Sequence, residues 1–216
     1  DAGLAKVKAE FVESTIRADR AGFDLAELHG GHGYLLHQFV SPLSNQRTDG
    51  YGGSLENRLR YPLEVFEACR AAWPSGKPYA VRFSATDWVD GGFSPEESVI
   101  YAKELKALGC DFIDVTTGGL DPRQKIKVKP GYQVFLADKI KKEAGIPTMA
   151  VGMIVTPKQA EGIIADGEAD MVALARGVMD DPRWAWHAAQ ELGESIPYPA
   201  QYARCAPEFW PGAALK

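Results

Sequence analysis

Phe23-Asp-Leu-Ala-Glu-Leu28 runs straight into His29-Gly-Gly-His-Gly-Tyr34, and the reading of that junction decides the fold. The first six residues are mostly apolar and follow Gly22, which closes a helical stretch, so they predict a buried parallel strand. The second six are polar and glycine-rich, so they predict the loop beyond its carboxyl end. Ligands of α/β proteins collect at that end of parallel strands. His29, His32 and Tyr34 therefore place two imidazoles and a phenol where an oxyanion could be gripped and a proton delivered. The plainer reading makes them loop residues that satisfy buried carbonyls.

Outward from this junction the chain repeats one formula. Residues 4–21 carry Leu4, Val7, Phe11, Val12 and Ile16 on one helical face, with Lys6, Glu10, Glu13 and Arg17 opposite. Residues 35–58, rich in Ser, Asn, Pro and Gly, predict a long irregular excursion of the functional sort. A helix over about 55–73 stops at Pro74, and the strand Tyr79-Ala-Val-Arg-Phe-Ser84 follows. Ser94-Pro-Glu-Glu97 signals a helix start with Ser94 as cap and Pro95 in the first turn. That helix closes at Gly109. Strand 112–117, helix 133–144, strand 147–151, helix 156–164, strand 171–174 and a last helix near 182–192 complete the pass, and a proline-rich aromatic tail ends it.

Strands alternating with helices predict a parallel sheet. A doubly wound open sheet and a (β/α)8 TIM barrel both satisfy the rhythm. Chemistry-bearing residues follow every strand (His29, Arg82, Thr116 with Gly118, Gly152, Arg176), and a barrel aims all its strand ends at one mouth. The barrel fits better. A full barrel needs eight units in roughly 250 residues, whereas about five are visible here. The expectation is an α/β chain forming an incomplete TIM barrel, about the last five βα units, with residues 1–216 the C-terminal part of a single domain.

Composition narrows the function classes. With 216 residues, 45% hydrophobic, and a net charge of −5, the chain suits one sizeable core and lacks the attraction needed for nucleic acid or anionic membrane. No apolar run approaches the length of a membrane span, and no signal-peptide pattern is present. Cys69, Cys110 and Cys205 are few and scattered, which predicts a cytoplasmic protein without a cysteine-held metal or cluster.

Three further features carry chemistry. Arg82 is a cation within an apolar strand, a costly placement unless it is paired. It predicts either contact with the anionic or carbonyl edge of a bound ring system or an ion pair with Asp114 or Glu27. Val151-Gly152-Met153 and Leu174-Ala175-Arg176-Gly177 end the last two strands, where barrels frequently hold a phosphate on backbone N–H groups. Residues 44–58 mix turn formers with opposite charges and predict a self-satisfied structural loop.

Taken together, His29-Gly-Gly-His32-Gly-Tyr34, Ser41-Pro-Leu-Ser-Asn45, Arg47-Thr-Asp49, Tyr51-Gly-Gly-Ser-Leu-Glu-Asn-Arg58, Val81-Arg-Phe-Ser84 and Ala173-Leu-Ala-Arg-Gly177 resemble the Old Yellow Enzyme family of flavin-dependent ene-reductases, also called NADPH dehydrogenases. The likeness runs from residue 4 to about 204. The His-x-x-His pair and Gln201-Tyr-Ala-Arg204 are similar to the bacterial thermophilic-like branch; the classical branch has Asn at the second position. The resemblance implies FMN as cofactor and NADPH or NADH as hydride donor, with a small activated alkene, an enone or nitroalkene, as substrate. It implies that His29 and His32 hold the substrate oxygen and that Tyr34 is the proton donor. It assigns Arg82 to the flavin ring, Gly152, Ala175 and Arg176 to the FMN phosphate, and Arg204 to an inter-subunit contact in a homo-oligomer at full length. Ala175 replaces the commoner Gly.

Two other readings stay open at this point. A truncated, catalytically incompetent barrel fragment would need an N-terminal partner segment and bind FMN weakly or not at all. A flavin-free phosphate-binding aldolase would need a Schiff-base lysine, and no predicted strand contains one.

Overall fold

The computed structural model describes residues 2–212; the expected domain extent of 1–216 includes Asp1 and residues 213–216, which lie outside the described residues. Its centre is one five-stranded parallel sheet in sequential order: β1 (Ala26–Gly30), β2 (Tyr79–Ser84), β3 (Ile113–Thr116), β4 (Thr148–Val151) and β5 (Met171–Ala173). Helix α1 (Ala2–Arg20) precedes β1, α2 (Leu35–Val40) and α3 (Leu55–Ala72) join β1 to β2, and α4 (Pro95–Ala107), α5 (Val134–Ala144) and α6 (Pro157–Ala165) make the next three crossovers. After β5 come α7 (Arg176–Asp180), α8 (Trp184–Leu192) and a 3₁₀ turn at Ala200–Cys205. Sequential order in a parallel sheet, with a helix in each crossover, is the pattern of an incomplete (β/α)8 barrel.

The alternation of strand side chains divides the sheet into two faces. One register row brings Leu28, Val81, Ile113 and Thr148 side by side, and another brings Gly30, Phe83, Val115 and Ala150 together. These residues are buried, in one core with Val65, Phe66, Tyr101, Leu105, Leu136 and Ile140. The intervening row faces the other way and reads His29, Arg82, Asp114, Met149, Met171. The residues that bear chemistry thus share the inner face of the curved sheet, opposite the helical layer.

Local signals explain the helices. Ser94 and Glu97 form a reciprocal capping box at the start of α4, with Pro95 in the first turn. Ser54 accepts the Asn57 N–H at the start of α3, and Thr156 accepts the Gln159 N–H ahead of α6, where Pro157 follows.

Two expectations need correction. The first strand covers Ala26–Gly30 rather than 23–28, so His29 stands within the strand and Phe23 and Leu25 are solvent-exposed. Pairing with Tyr79–Phe83 sets this register, and it overrides the apolar look of 23–28. The excursion after Tyr34 is also not wholly irregular: Leu35–Val40 form a short helix that ends at Ser41, ahead of Pro42. The loop that follows is self-satisfied, as expected. Asn45 Nδ2 donates to the carbonyls of Phe39 and Tyr51, and Arg47 pairs with Asp49.

Candidate active site

The tip of β1 supplies the first two groups. His29 comes from the strand itself and His32 from the turn beyond it; their ring centroids lie 5.1 Å apart, and the Tyr34 ring is 5.4 Å from His29. The turn is tightly bound to its neighbours. His32 N–H donates to Ser84 Oγ at 3.0 Å, and Ser84 Oγ donates to the Gly118 carbonyl at 2.9 Å. His32 Nε2 and Thr116 Oγ1 share a 2.9 Å hydrogen bond. His32 takes a left-handed φ of 55°, uncommon for a residue with a side chain and a mark of local constraint. Gly33 follows at φ 77°, and a Cβ there would come within 2.8 Å of the Gly119 carbonyl oxygen. Only glycine lets the turn lie this close to the β3 loop.

The surroundings favour the neutral form of both imidazoles. Burial lowers His32 to about 4, helped by the nearby His29 and Arg82. Burial also lowers His29, and the Arg82 charge adds to it. Neutral rings keep one N–H donor and one acceptor each, which suits them to bind an oxygen that gains negative charge. Tyr34 is well exposed, so its phenol is open to whatever enters the mouth.

Beside His29 in the register stands Arg82, whose Nε lies 3.4 Å from Asp114 Oδ2. The ion-pair reading of Arg82 is therefore correct in part. At that distance the contact is not a hydrogen bond, and both Arg82 Nε and Asp114 Oδ1 are buried without a hydrogen-bonding partner. The Arg82 side chain as a whole keeps 31% of its surface exposed on the inner face. Burial raises Asp114 to about 6 against the pull of Arg82. Glu27, which still meets solvent on the inner face, is raised to about 7, by shielding from water first and by the Asp114 charge second.

The other strand tips close the same end. Gly152 follows β4 at φ 117°, and a Cβ on it would lie 2.5 Å from Gln133 Nε2. Gln133 itself donates to the Val151 carbonyl at 2.9 Å and accepts from Thr117 Oγ1, so it ties the β3 and β4 loops together. Gly152→Ala is expected to lower stability by about 2–4 kcal/mol, from the unfavourable backbone conformation and the displaced Gln133 bonds. Urea unfolding checks this. Ala175 and Arg176 are exposed at the start of α7, and Ala175 provides no side-chain cap. Arg204 is placed apart from this group, on the 3₁₀ turn, lining a cavity with Arg183, Trp186 and Tyr198. A larger concavity of about 780 Å³ between α8 and the tail shares Trp186 and Tyr198 with it and holds none of His29, His32, Tyr34, Arg82, Gly152, Ala175, Arg176 or Arg204.

Sequence reasoning missed several supporting groups. Ser84 and Thr116 both hold His32, a role that their places at the ends of β2 and β3 do not signal in the sequence. His37 and Asp87, which meet Ser41 in a buried trio, carry no role in the sequence reading. The available signal was an ionisable residue inside an otherwise apolar helix, Leu35-Leu-His-Gln-Phe-Val40.

The family model described as "NADH:flavin oxidoreductase / NADH oxidase family" matches residues 3–195. Among curated proteins, the chain is 48% identical over 194 residues to an NADPH dehydrogenase of a Geobacillus species, covering 90% of this chain and 56% of that protein. It is 47% identical to the NADPH dehydrogenase of Bacillus velezensis, with 90% and 57% covered, and 44% identical to that of Listeria innocua, with 93% and 59% covered. The chain thus spans a little over half the length of these relatives. Among solved structures, a 2-naphthoyl-CoA reductase bound to 2-naphthoyl-CoA is similar with a TM-score of 0.80 at 28% identity, covering 88% of this chain and 29% of the other. Morphinone reductase superposes with a TM-score of 0.73 at 24% identity, covering 94% and 53%, a likeness of fold.

Proposed function

This chain belongs to the NADH:flavin oxidoreductase / NADH oxidase family, the Old Yellow Enzyme group, and from that premise we propose that it forms the C-terminal part of an FMN-dependent, NAD(P)H-driven ene-reductase acting on small activated alkenes. The observation that carries the reading is the inner-face neighbourhood of His29, His32, Tyr34 and Arg82, two neutral imidazoles and a phenol beside a cation at the strand tips.

The residues present fit the cofactor. Arg82 has a buried Nε–H without a hydrogen-bonding partner on a side chain that is partly exposed, as expected of a group that would hold the polar edge of a flavin ring. Gly152, Ala175 and Arg176 stand at the last two strand tips, and the uncapped start of α7 leaves backbone N–H groups for the phosphate. FMN held there would supply the hydride chemistry, with NAD(P)H as the reductant.

The chain's own residues do the rest. His29 and His32 donate hydrogen bonds to the carbonyl or nitro oxygen of the alkene. Those bonds strengthen as negative charge grows on that oxygen, so they favour the transition state over the ground state. Tyr34, two residues past His32 and open to the mouth, delivers the proton to the carbon next to the activating group. Arg204, set apart on the tail turn, serves a contact between subunits of a homo-oligomer.

A second reading is favoured by the sheet order. Among the described residues β1 and β5 are outer strands that do not pair with each other, so the five strands do not close a barrel. On this reading the chain is incompetent until an N-terminal segment closes the barrel. One experiment separates the two. Flavin absorbance of the purified chain, followed by NADPH-driven reduction of cyclohexenone, is repeated with the segment that precedes it in longer relatives. Flavin in both preparations supports the first reading and flavin only in the longer one supports the second. A longer protein without flavin would overturn the family role.

A further inference from the structure

We propose that His37, held by Asp87, which Ser41 binds in turn, is a positioning residue that fixes the turn carrying His32 and so sets the geometry of the oxygen-binding pair. The inference rests on the reading of His29 and His32 given above.

The three side chains are fully buried at the interface of α2 and the loop after β2. Gly33 N–H donates to His37 Nδ1 at 3.0 Å. Nδ1 must therefore be the bare nitrogen of the ring, so the proton sits on Nε2. Nε2–H in turn donates to Asp87 Oδ1 at 2.8 Å. Asp87 Oδ2 accepts two further donors, Ser41 Oγ–H at 2.6 Å and the Phe93 N–H at 2.7 Å. Burial alone would raise the Asp87 carboxyl, yet these donors bring it below its usual value. The carboxylate is thus an acceptor at both oxygens, and it dictates the His37 tautomer as an orienting carboxylate does in a catalytic dyad.

The consequence reaches the mouth through one peptide. Gly33 N–H belongs to the residue directly after His32, in a turn where His32 already holds an unfavourable φ of 55°. Such a conformation persists only where surrounding bonds determine it. His32 is bound on its other side by Ser84 and Thr116, so His37 completes a three-point hold. A strip of chain fifty residues away thereby decides where an imidazole of the site points.

Asp87→Asn tests this with nearly unchanged shape. The amide oxygen must occupy the position that accepts from both Ser41 and Phe93, which turns its NH2 toward His37 Nε2. The ring can answer only by moving its proton to Nδ1, and that proton then opposes the Gly33 N–H. In the FMN-loaded protein, ¹⁵N NMR is expected to show an Nε2–H tautomer of His37 before substitution and an Nδ1–H tautomer after it. Hydrogen exchange at Gly33 should quicken about tenfold or more, the effect of one lost hydrogen bond, while exchange at Val81 in the core stays unchanged. Affinity for 4-nitrophenolate, a probe oxyanion, should fall about tenfold. Ser41→Ala, which leaves the second oxygen one donor short but keeps the tautomer, should change that affinity less than twofold.

An Nδ1–H tautomer in the unsubstituted protein would overturn the proposal whether or not any variant folds. So would an Asp87→Asn protein that loses thermal stability while Gly33 protection and phenolate affinity persist. Absence of 4-nitrophenolate binding in the unsubstituted protein would instead count against the oxygen-binding role of His29 and His32, and the tautomer and exchange measurements would still decide the role of His37.

Discussion

Arg82→Met is expected to cost the protein about a hundredfold in FMN affinity, so that flavin is lost on gel filtration. The magnitude follows from removing hydrogen bonds donated by a charged group that has no substitute nearby. Methionine preserves the length of the side chain and matches the neighbouring Met149 and Met171 on the inner face. A loss of flavin would then reflect charge and donors rather than a cavity. The same substitution leaves Asp114, almost fully buried, and Glu27 without their cation. Arg82 lowers both carboxyls, against the burial that lifts them to about 6 and about 7. Without it both rise further. A carboxyl whose folded value lies above its unfolded one stabilises the fold most below the unfolded value, and that contribution is lost as pH rises through the folded value. The variant should therefore be close to the parent in stability at pH 5 and about 2–3 kcal/mol less stable at pH 8, where a buried carboxylate is left uncompensated. Thermal melts at the two pH values and flavin absorbance after desalting read both effects. Retained flavin with the pH-dependent stability loss would remove Arg82 from the site and leave it a structural ion pair, and a pH-independent loss would remove the ion pair as well.

The same residue shows what was legible in the sequence. A cation in Tyr79-Ala-Val-Arg-Phe-Ser84 stands out against its neighbours, because burial of charge is costly wherever it occurs and so needs a reason. The order of strands and helices was equally legible, since apolar period and capping residues such as Ser94 and Thr156 are local properties. Register was not. Phe23 and Leu25 look like strand core and are exposed, while Gly30, a poor strand former, is buried beside Phe83. Which residues of a strand pair is settled by the neighbouring strand, fifty residues downstream. Pro62, in the interior of α3, is another case where packing overrides a local breaker. His37 stands out as an ionisable residue among apolar ones, but its role was not legible, for the same reason as the register. Its meaning lies in Asp87, and no spacing rule links a histidine in an amphipathic helix to an aspartate in a distant loop.

The largest effect on chemistry is expected at the imidazole pair. His29→Leu and His32→Leu should each lower kcat/KM for enone reduction by about 10²–10³, the range seen when one preplaced donor to a developing oxyanion is removed. Flavin content should hold, because Arg82 and the β4 and β5 tips remain. The double variant should fall short of the product of the two single losses, since the donors share one oxygen and lie 5.1 Å apart. His32 also carries a pH signature. Its folded value of about 4 lies below the value of about 6.5 it has when unfolded. The unfolded chain therefore binds a proton over the interval in which the folded one refuses it. Stability from this residue is present above pH 6.5 and is lost as the pH falls toward 4. His32→Asn keeps an N–H donor near the position of the ring Nδ1 and cannot titrate, so it should flatten that acid loss while retaining more activity than the leucine variant. Glu27 and Asp114 work in the opposite sense over the same interval, gaining stability toward acid, so the His32 contribution appears only as the difference between parent and variant melts. A parallel pair of melting curves from pH 7 to 4 would mean that solvent reaches the imidazole freely, and the neutral-donor role assigned to it would fail with it.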